Sequence, residues 1–208
     1  MSTRIGTVEE LRTLYRAPGQ QVVDKIRSCL DAASTRFIQR CPFVLVGTIG
    51  SDGRLDVSPR GGPSGFIRVR TDGTIAIPDL NGNNLIDTLQ AVVETGSVGL
   101  LFVLPGRDET LRVNGRAYVT IDPTVLGEFT QELRPPKSAI VVEPQEVFIH
   151  CAKAFRRGGV WQPDRWPALA DAPDAADILS CQLDLPAGSN AKLRAALDRS
   201  YTDGLAAD

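Results

Sequence analysis

Residues 43–58 read FVLVGTIGSDGRLDVS, and this stretch decides the fold. Phe43 to Ile49 is rich in β-branched and apolar residues, the composition of a half-buried strand. The SDG tripeptide then marks a turn. Arg54 to Ser58 alternates polar and apolar residues, as the returning strand of a hairpin does. A second hairpin repeats the punctuation, with Ile67 to Arg70 and Thr74 to Ile77 flanking TDG.

Working downstream, Asn83 to Thr95 has helical spacing. Leu85, Leu89, Val92 and Val93 form an apolar stripe, Asn81 or Asn83 can cap it, and Gly96 can end it. Val98 to Leu104 is almost wholly apolar, which predicts a strand buried on both faces. Leu111 to Ile121 is another strand region, in which Asn114-Gly115 is either a hairpin turn or a bulge. Leu126 to Leu133 is a short helix candidate, and Ala139 to Ile149 closes the strand set. Strands at this spacing, without alternating helices, predict a mainly β fold: a β-barrel of about six antiparallel strands with flanking helices.

Working upstream, residues 1–40 read as helical. Thr7 and Glu10 form a capping-box pattern ahead of Leu11 and Leu14. Val22, Val23, Ile26 and Leu30 give a second helix after Pro18 an apolar face. Both helices are expected to pack on the sheet. Residues 41–160 form the barrel core. Residues 161–208 form an arm ending in a helix near Ala191 to Leu197, within a single domain overall.

Composition limits the function. The chain has 208 residues, 42% hydrophobic and 23% charged, with a net charge of −2. Nothing in that balance favours nucleic acid or an anionic membrane. No stretch approaches the roughly 18 apolar residues of a membrane span. The N-terminus MSTRIGTVEELRTLY lacks the apolar core of a signal peptide, so the expected location is the cytoplasm. Cys29, Cys41, Cys151 and Cys181 show no CxxC spacing and are expected to be reduced and mostly buried. With His150 as its only histidine, the chain has no His-rich metal site. Within its apolar run, His150 reads as a core residue.

Chemistry concentrates in three stretches. In SPRGGPSGFIRV, residues 58–69, Arg60 offers a planar fork to two oxygens of one phosphate, and Ser58 adds a hydroxyl donor. Its glycines let a ligand approach the backbone. In IPDLNGNNLIDTL, residues 77–89, a helix starting at Asn83 or Asn84 would present unpaired N–H groups to an anion. In ETLRVNGRAYV, residues 109–119, Arg112 points away from the side that Leu111 and Val113 favour. Lys153 follows the last strand within FIHCAKAF. Each stretch also has an ordinary reading as a turn, a cap or a surface charge.

Their order resembles the pyridoxamine 5′-phosphate oxidase-like, flavin-binding split-barrel family. It is most similar to a branch of FMN-dependent enzymes, on SPRGGPSGFIRV, IPDLNGNNLIDTL, GLLFVLPGRDETLRVNGRA and HCAKA over roughly residues 40–160. The resemblance implies a six-stranded split barrel acting as a homodimer, with FMN in the cleft between subunits. Ser58 and Arg60 would contact the FMN phosphate and ring edge. Asn83 and Asn84 would fall in the phosphate-contacting loop and helix start. Thr110 and Arg112 would reach the flavin from the partner subunit, and Lys153 belongs to the C-terminal motif. The family also favours a bulge at Asn114-Gly115.

The chain departs from the pyridoxamine phosphate oxidases themselves. Asn83-Asn84 stands where they carry an Arg-Lys pair, and no arginine-bearing substrate strand follows residue 160, so vitamin B6 oxidation is not expected. The implied activity is oxidoreduction through bound FMN on an unidentified small molecule. The alternatives are a deazaflavin- or haem-binding barrel, with His150 as the available iron ligand, and a flavin-binding module without turnover.

Overall fold

The strand-turn-strand pattern of residues 43–58 becomes the first hairpin of a curled antiparallel sheet. The computed structural model describes residues 4–130, 133–186 and 188–207. In chain order, helices α1 (Val8–Leu14), α2 (Gln20–Asp24) and α3 (Ala32–Arg40) precede β1 (Phe43–Ile49), β2 (Leu55–Gly61), β3 (Arg68–Val69) and β4 (Ile75–Pro78). Helix α4 (Asp87–Thr95) leads into β5 (Ser97–Val103) and β6 (Thr110–Thr120). Then come α5 (Pro123–Gly127), β7 (Ala139–His150), α6 (Lys153–Gly158), α7 (Ala175–Gln182) and α8 (Asn190–Ala207).

The sheet order is β2-β1-β5-β6-β7-β4-β3 with every pair antiparallel. Strands β2 and β3 are its two edges, so the barrel is split, and the two-residue β3 is the seventh strand. Val44 and Val46 of β1, Leu100 and Phe102 of β5 and Val113 of β6 share one buried cluster with Ile38 of α3 and Val92 of α4. On the far side of β4 and β7, Ala76, Ala139 and Val141 pack with Val125 of α5 and with Phe129. Residues 139–142 are therefore buried on both faces.

Strand β5 differs from expectation. Val98, Leu100 and Phe102 enter the core, but Gly99 and Leu101 on the other face are only half-buried. A strand loses its second cover where the sheet face is open, whatever its composition. The Asn114-Gly115 pair lies inside one continuous strand. Asn114 sits opposite Glu146 and Gly115 opposite Pro144, so the register shifts by one residue in β7. A Cβ at Gly115 would lie 2.1 Å from the Glu143 carbonyl oxygen, and only glycine admits that approach.

The N-terminal helices depart further. Thr7 caps α1 by accepting from the Glu10 N–H, as its pattern predicts. Yet α1 buries no residue, and Val22, Val23 and Ile26 stay exposed. Helix α2 ends after five residues. Arg27 then exchanges two backbone hydrogen bonds with Val147, at 3.0 and 2.7 Å. Since β4 pairs only with residues 139–142, the β7 edge beyond is open to that bridge, which replaces the expected helix. The sheet is covered instead by α3, which Asp31 caps by accepting from the Ser34 N–H.

Helix α4 starts at Asp87, four residues after the expected Asn83. Asn83 Oδ1 accepts from the Leu85 N–H, and Asn84 takes φ 59°, so the chain is still turning there. The buried face is Thr88, Ala91 and Val92, while Leu85 and Val93 are exposed. Gly96 ends the helix in the left-handed conformation, as expected.

The short helix predicted over 126–133 forms earlier, at Pro123–Gly127. Asp122 caps it and Pro123 occupies its first turn. Residues 131–132 lie outside those described. The terminal helix is longer than expected and packs on α7 through Arg194–Asp174 and Asn190–Asp177 contacts. Among the cysteines only Cys41 is buried, which corrects the expectation of mostly buried thiols. Burial pushes its thiol up to about 12. Among the described residues no helix is long and apolar enough to cross a membrane.

Candidate functional site

Strand pairing sorts the candidate residues onto two faces. One register row runs Arg60, Val44, Phe102, Leu111 across β2, β1, β5 and β6. Its side chains share the core face. The adjacent row runs Pro59, Leu45, Leu101, Arg112 and on to Phe148, on the opposite face. Ser58 and Arg60 therefore project from one side of the sheet, and Thr110 and Arg112 from the other.

The second face carries a cleft of about 420 Å³, a size suited to a small organic ligand. Gly47 of β1 and Gly99 of β5 sit directly opposite each other in its floor. A Cβ at Gly47 would meet the Gly99 carbonyl oxygen at 3.5 Å, and one at Gly99 would meet Asn114 Oδ1 at 3.3 Å. The pair thus leaves a flat trench between Val57 and Asn114.

Thr110, only 3% exposed, and Arg112 form the polar wall. The Arg112 guanidinium lies 5.1 Å from the centroid of the Phe148 ring, a cation–π contact that orients it. Lys25 lies 5.7 Å from the same centroid and donates to the Ile149 carbonyl at 2.8 Å. His150 pairs with Thr110 across the strands and lines the cleft beside Cys151. It is exposed, which corrects its reading as a core histidine: it points to the open face of a strand whose neighbour Ile149 faces the other way. Lys153 is exposed at the start of α6, one residue before Ala154 in the cleft wall.

On the first face, one guanidinium nitrogen of Arg60 donates to Ser58 Oγ and to the Pro59 carbonyl at 3.0 Å. These bonds hold the arginine along its own strand. Asp79 directly follows β4 and is half-buried. Burial raises its carboxyl above the ordinary aspartate value, while the positive charges of Arg60 and Lys137 pull it back down. Asp56 accepts from the Thr88 hydroxyl at 2.6 Å and ties β2 to α4. Asn83 and Asn84 lie in the exposed turn before α4 rather than in its first turn, which holds Asp87. The expected helix start at Asn83 or Asn84 is thus corrected to Asp87. An acidic residue occupies that turn, and the asparagines can offer donors only from the loop.

The structure joins Ser58 to Arg60 and Thr110 to Arg112, and separates these two pairs by sheet face. The sequence reading missed Gly47, Gly99, Asp79 and Lys137. An isolated glycine within a strand was the available signal for the first two, since it marks close approach by a ligand or backbone.

A family model described as pyridoxamine 5′-phosphate oxidase matches residues 30–151. Among solved structures, HupZ of Group A Streptococcus is 15% identical, with a TM-score of 0.48 over 58% of this chain and 93% of that chain. A candidate pyridoxamine 5′-phosphate oxidase of Lactobacillus delbrueckii is 18% identical, with a TM-score of 0.44 over 59% of this chain and 95% of that chain. An F420 reductase is 15% identical, with a TM-score of 0.40 over 57% and 98% respectively. No curated protein matches the chain.

Proposed function

The chain belongs to the pyridoxamine 5′-phosphate oxidase family, and from that premise we propose that it is a cytoplasmic, homodimeric FMN-dependent oxidoreductase acting on a small molecule. The observation that carries this reading is the cleft, with a flat glycine floor and an oriented arginine in its wall. Those residues fit a planar ring system that gains negative charge on reduction. Bound there, FMN would supply hydride transfer, and the protein would supply position and electrostatics. Gly47 and Gly99 would seat the ring. Arg112, held by Phe148, would stabilise negative charge at the ring edge, and Thr110 would donate a hydrogen bond there. Ser58 and Arg60 would hold the phosphate, with Asn83 and Asn84 offering amide donors from the neighbouring loop. Lys153 would sit at the mouth of the cleft.

The division of these groups between two sheet faces supports a dimer. One copy supplies the Arg60 face and the second supplies the Arg112 face to the same ligand. The cleft face also exposes Phe43, Ile49, Leu55 and Val57, the last two at 80% and 67%. Apolar side chains this exposed on one sheet face are the mark of an interaction surface.

The absorption spectrum of the purified protein tests the cofactor, and light scattering tests the assembly. Bound flavin and a dimer are expected. Protein that neither carries nor takes up FMN would refute the reading. Reoxidation cycling with NADH or NADPH faster than that of free FMN separates an enzyme from a storage module. The exposure of His150 in the cleft favours one second reading, haem ligated by that imidazole. A haemin Soret band lost in His150→Ala would support it.

A further inference from the structure

One register row crosses the cleft: Val57, Gly47, Gly99, Asn114 and Glu146 stand opposite one another in turn on β2, β1, β5, β6 and β7. The glycines leave its middle bare, and Asn114 is the first polar side chain beyond them, half-buried in the cleft wall. Its Nδ2 donates to Glu146 Oε2 at 2.8 Å. A carboxylate only accepts, so the amide turns its NH2 group to Glu146 and leaves Oδ1 on the other side. That oxygen overhangs the floor, 3.3 Å from where a Cβ on Gly99 would stand. Among the described residues nothing donates to it.

The bulge makes this arrangement. Arg116 faces Glu143 and Gly115 faces Pro144, so an unbroken ladder would set Gln145 opposite Asn114. A glutamine amide both donates and accepts, and would hold Asn114 either way round. The register shift skips Gln145 and brings Glu146 opposite instead. Bulges next to active sites re-aim side chains in this way.

We propose that Asn114 is the acceptor that selects the imide N–H of the ring, and that Glu146 is the positioning residue that fixes its amide. The proposal rests on the flavin reading of the cleft. The pyrimidine end of the flavin ring carries one N–H flanked by two carbonyls, so it presents a donor and acceptors along one edge. Strand β6 carries the complement on one face. Arg112 offers only donors, and two residues on Asn114 offers an acceptor. An oxygen fixed before the ligand arrives loses little freedom on binding. A ring methylated at the imide nitrogen has no proton to give, and it leaves Oδ1 unpaired against a methyl group.

Fluorescence quenching of FMN and of FMN methylated at the imide nitrogen, titrated with apoprotein at neutral pH, tests the assignment. Wild-type protein should bind FMN about tenfold more tightly than the methylated analogue, the scale of one hydrogen bond lost with its acceptor left unpaired. Asn114→Leu keeps the bulk and removes the acceptor, so FMN should weaken about five- to tenfold and the preference should vanish. Glu146→Gln and Glu146→Ala each let the amide sit either way round, and should lower the preference about two- to fivefold. That ratio of affinities is not moved by a loss of stability alone. Equal binding of the two ligands by wild-type protein, a comparison that needs no variant to fold, would overturn the proposal. So would a full preference surviving in Asn114→Leu, or in both Glu146 variants. Wild-type protein that binds neither flavin would instead overturn the flavin reading itself.

Discussion

Replacing Gly47 by valine should weaken flavin binding while leaving the fold intact or firmer. The two effects separate because of where the new side chain goes. A Cβ at Gly47 meets nothing closer than the Gly99 carbonyl oxygen at 3.5 Å, an ordinary van der Waals distance. The residue lies within β1, paired on both sides, and has no left-handed φ to protect. Glycine in a strand interior costs roughly 0.5–1 kcal/mol relative to alanine, and valine suits a strand better still. Unfolding stability should therefore hold or rise by up to about 1 kcal/mol. The added carbons stand in the trench. A flat ring on that floor would make on the order of 10–20 carbon contacts worth about 0.1–0.2 kcal/mol each. Lifting it by one methyl layer forfeits about 1–3 kcal/mol, a loss of roughly 5- to 150-fold in affinity. Urea unfolding and flavin titration of the same preparation read both quantities. A Gly47→Val protein of normal stability that binds FMN as tightly as wild type would refute the trench as the ring seat.

Other outcomes follow from single side chains. Thr48 is buried, and its hydroxyl is the one buried side-chain oxygen or nitrogen among the described residues that finds no hydrogen-bond partner. Thr48→Val should stabilise the protein by about 1–3 kcal/mol, raising Tm by several degrees in a thermal melt; a drop would show that the hydroxyl is bonded. Gly115→Ala should destabilise by about 1–3 kcal/mol, because its methyl collides with the Glu143 backbone; an unchanged urea midpoint would mean that the bulge relaxes freely. For Asp79, burial lifts the folded carboxyl above its ordinary 3.8. The contribution of that group to stability is full below the unfolded value and is lost as pH rises through the raised folded value. Asp79→Asn should therefore gain stability over wild type at neutral pH and lose that advantage in acid, as denaturant midpoints across pH would show.

Much of the sheet was legible because strand signals are local. FVLVGTI and SDG set the first hairpin, and the observed β1 has the same bounds as the predicted run. Helix existence was legible, but helix partners were not. The spacing of Val22, Val23 and Ile26 is amphipathic, yet it cannot show that the open β7 edge captures Arg27 and ends the helix. Asn83 is equally suited to cap a helix or to close a turn. The left-handed Asn84 beside it decides for the turn. At the site, Arg60 and Arg112 stood out by charge beside glycine and within an alternating strand. Gly47 and Gly99 did not, because a trench exists only where two strands register glycine against glycine.

The order and alternation of apolar residues by themselves determined an antiparallel β fold with flanking helices, and the motifs gave its family resemblance. Those features reside in neighbours along the chain, where backbone sterics and side-chain period act. Only the tertiary structure decided which face each residue occupies and which distant residues meet. A one-residue slip in register would send every side chain of a strand to the opposite face. The separation of Arg60 from Arg112, the pairing of Gly47 with Gly99 and the capture of Arg27 by Val147 all depend on hydrogen bonds between segments that the linear order keeps apart.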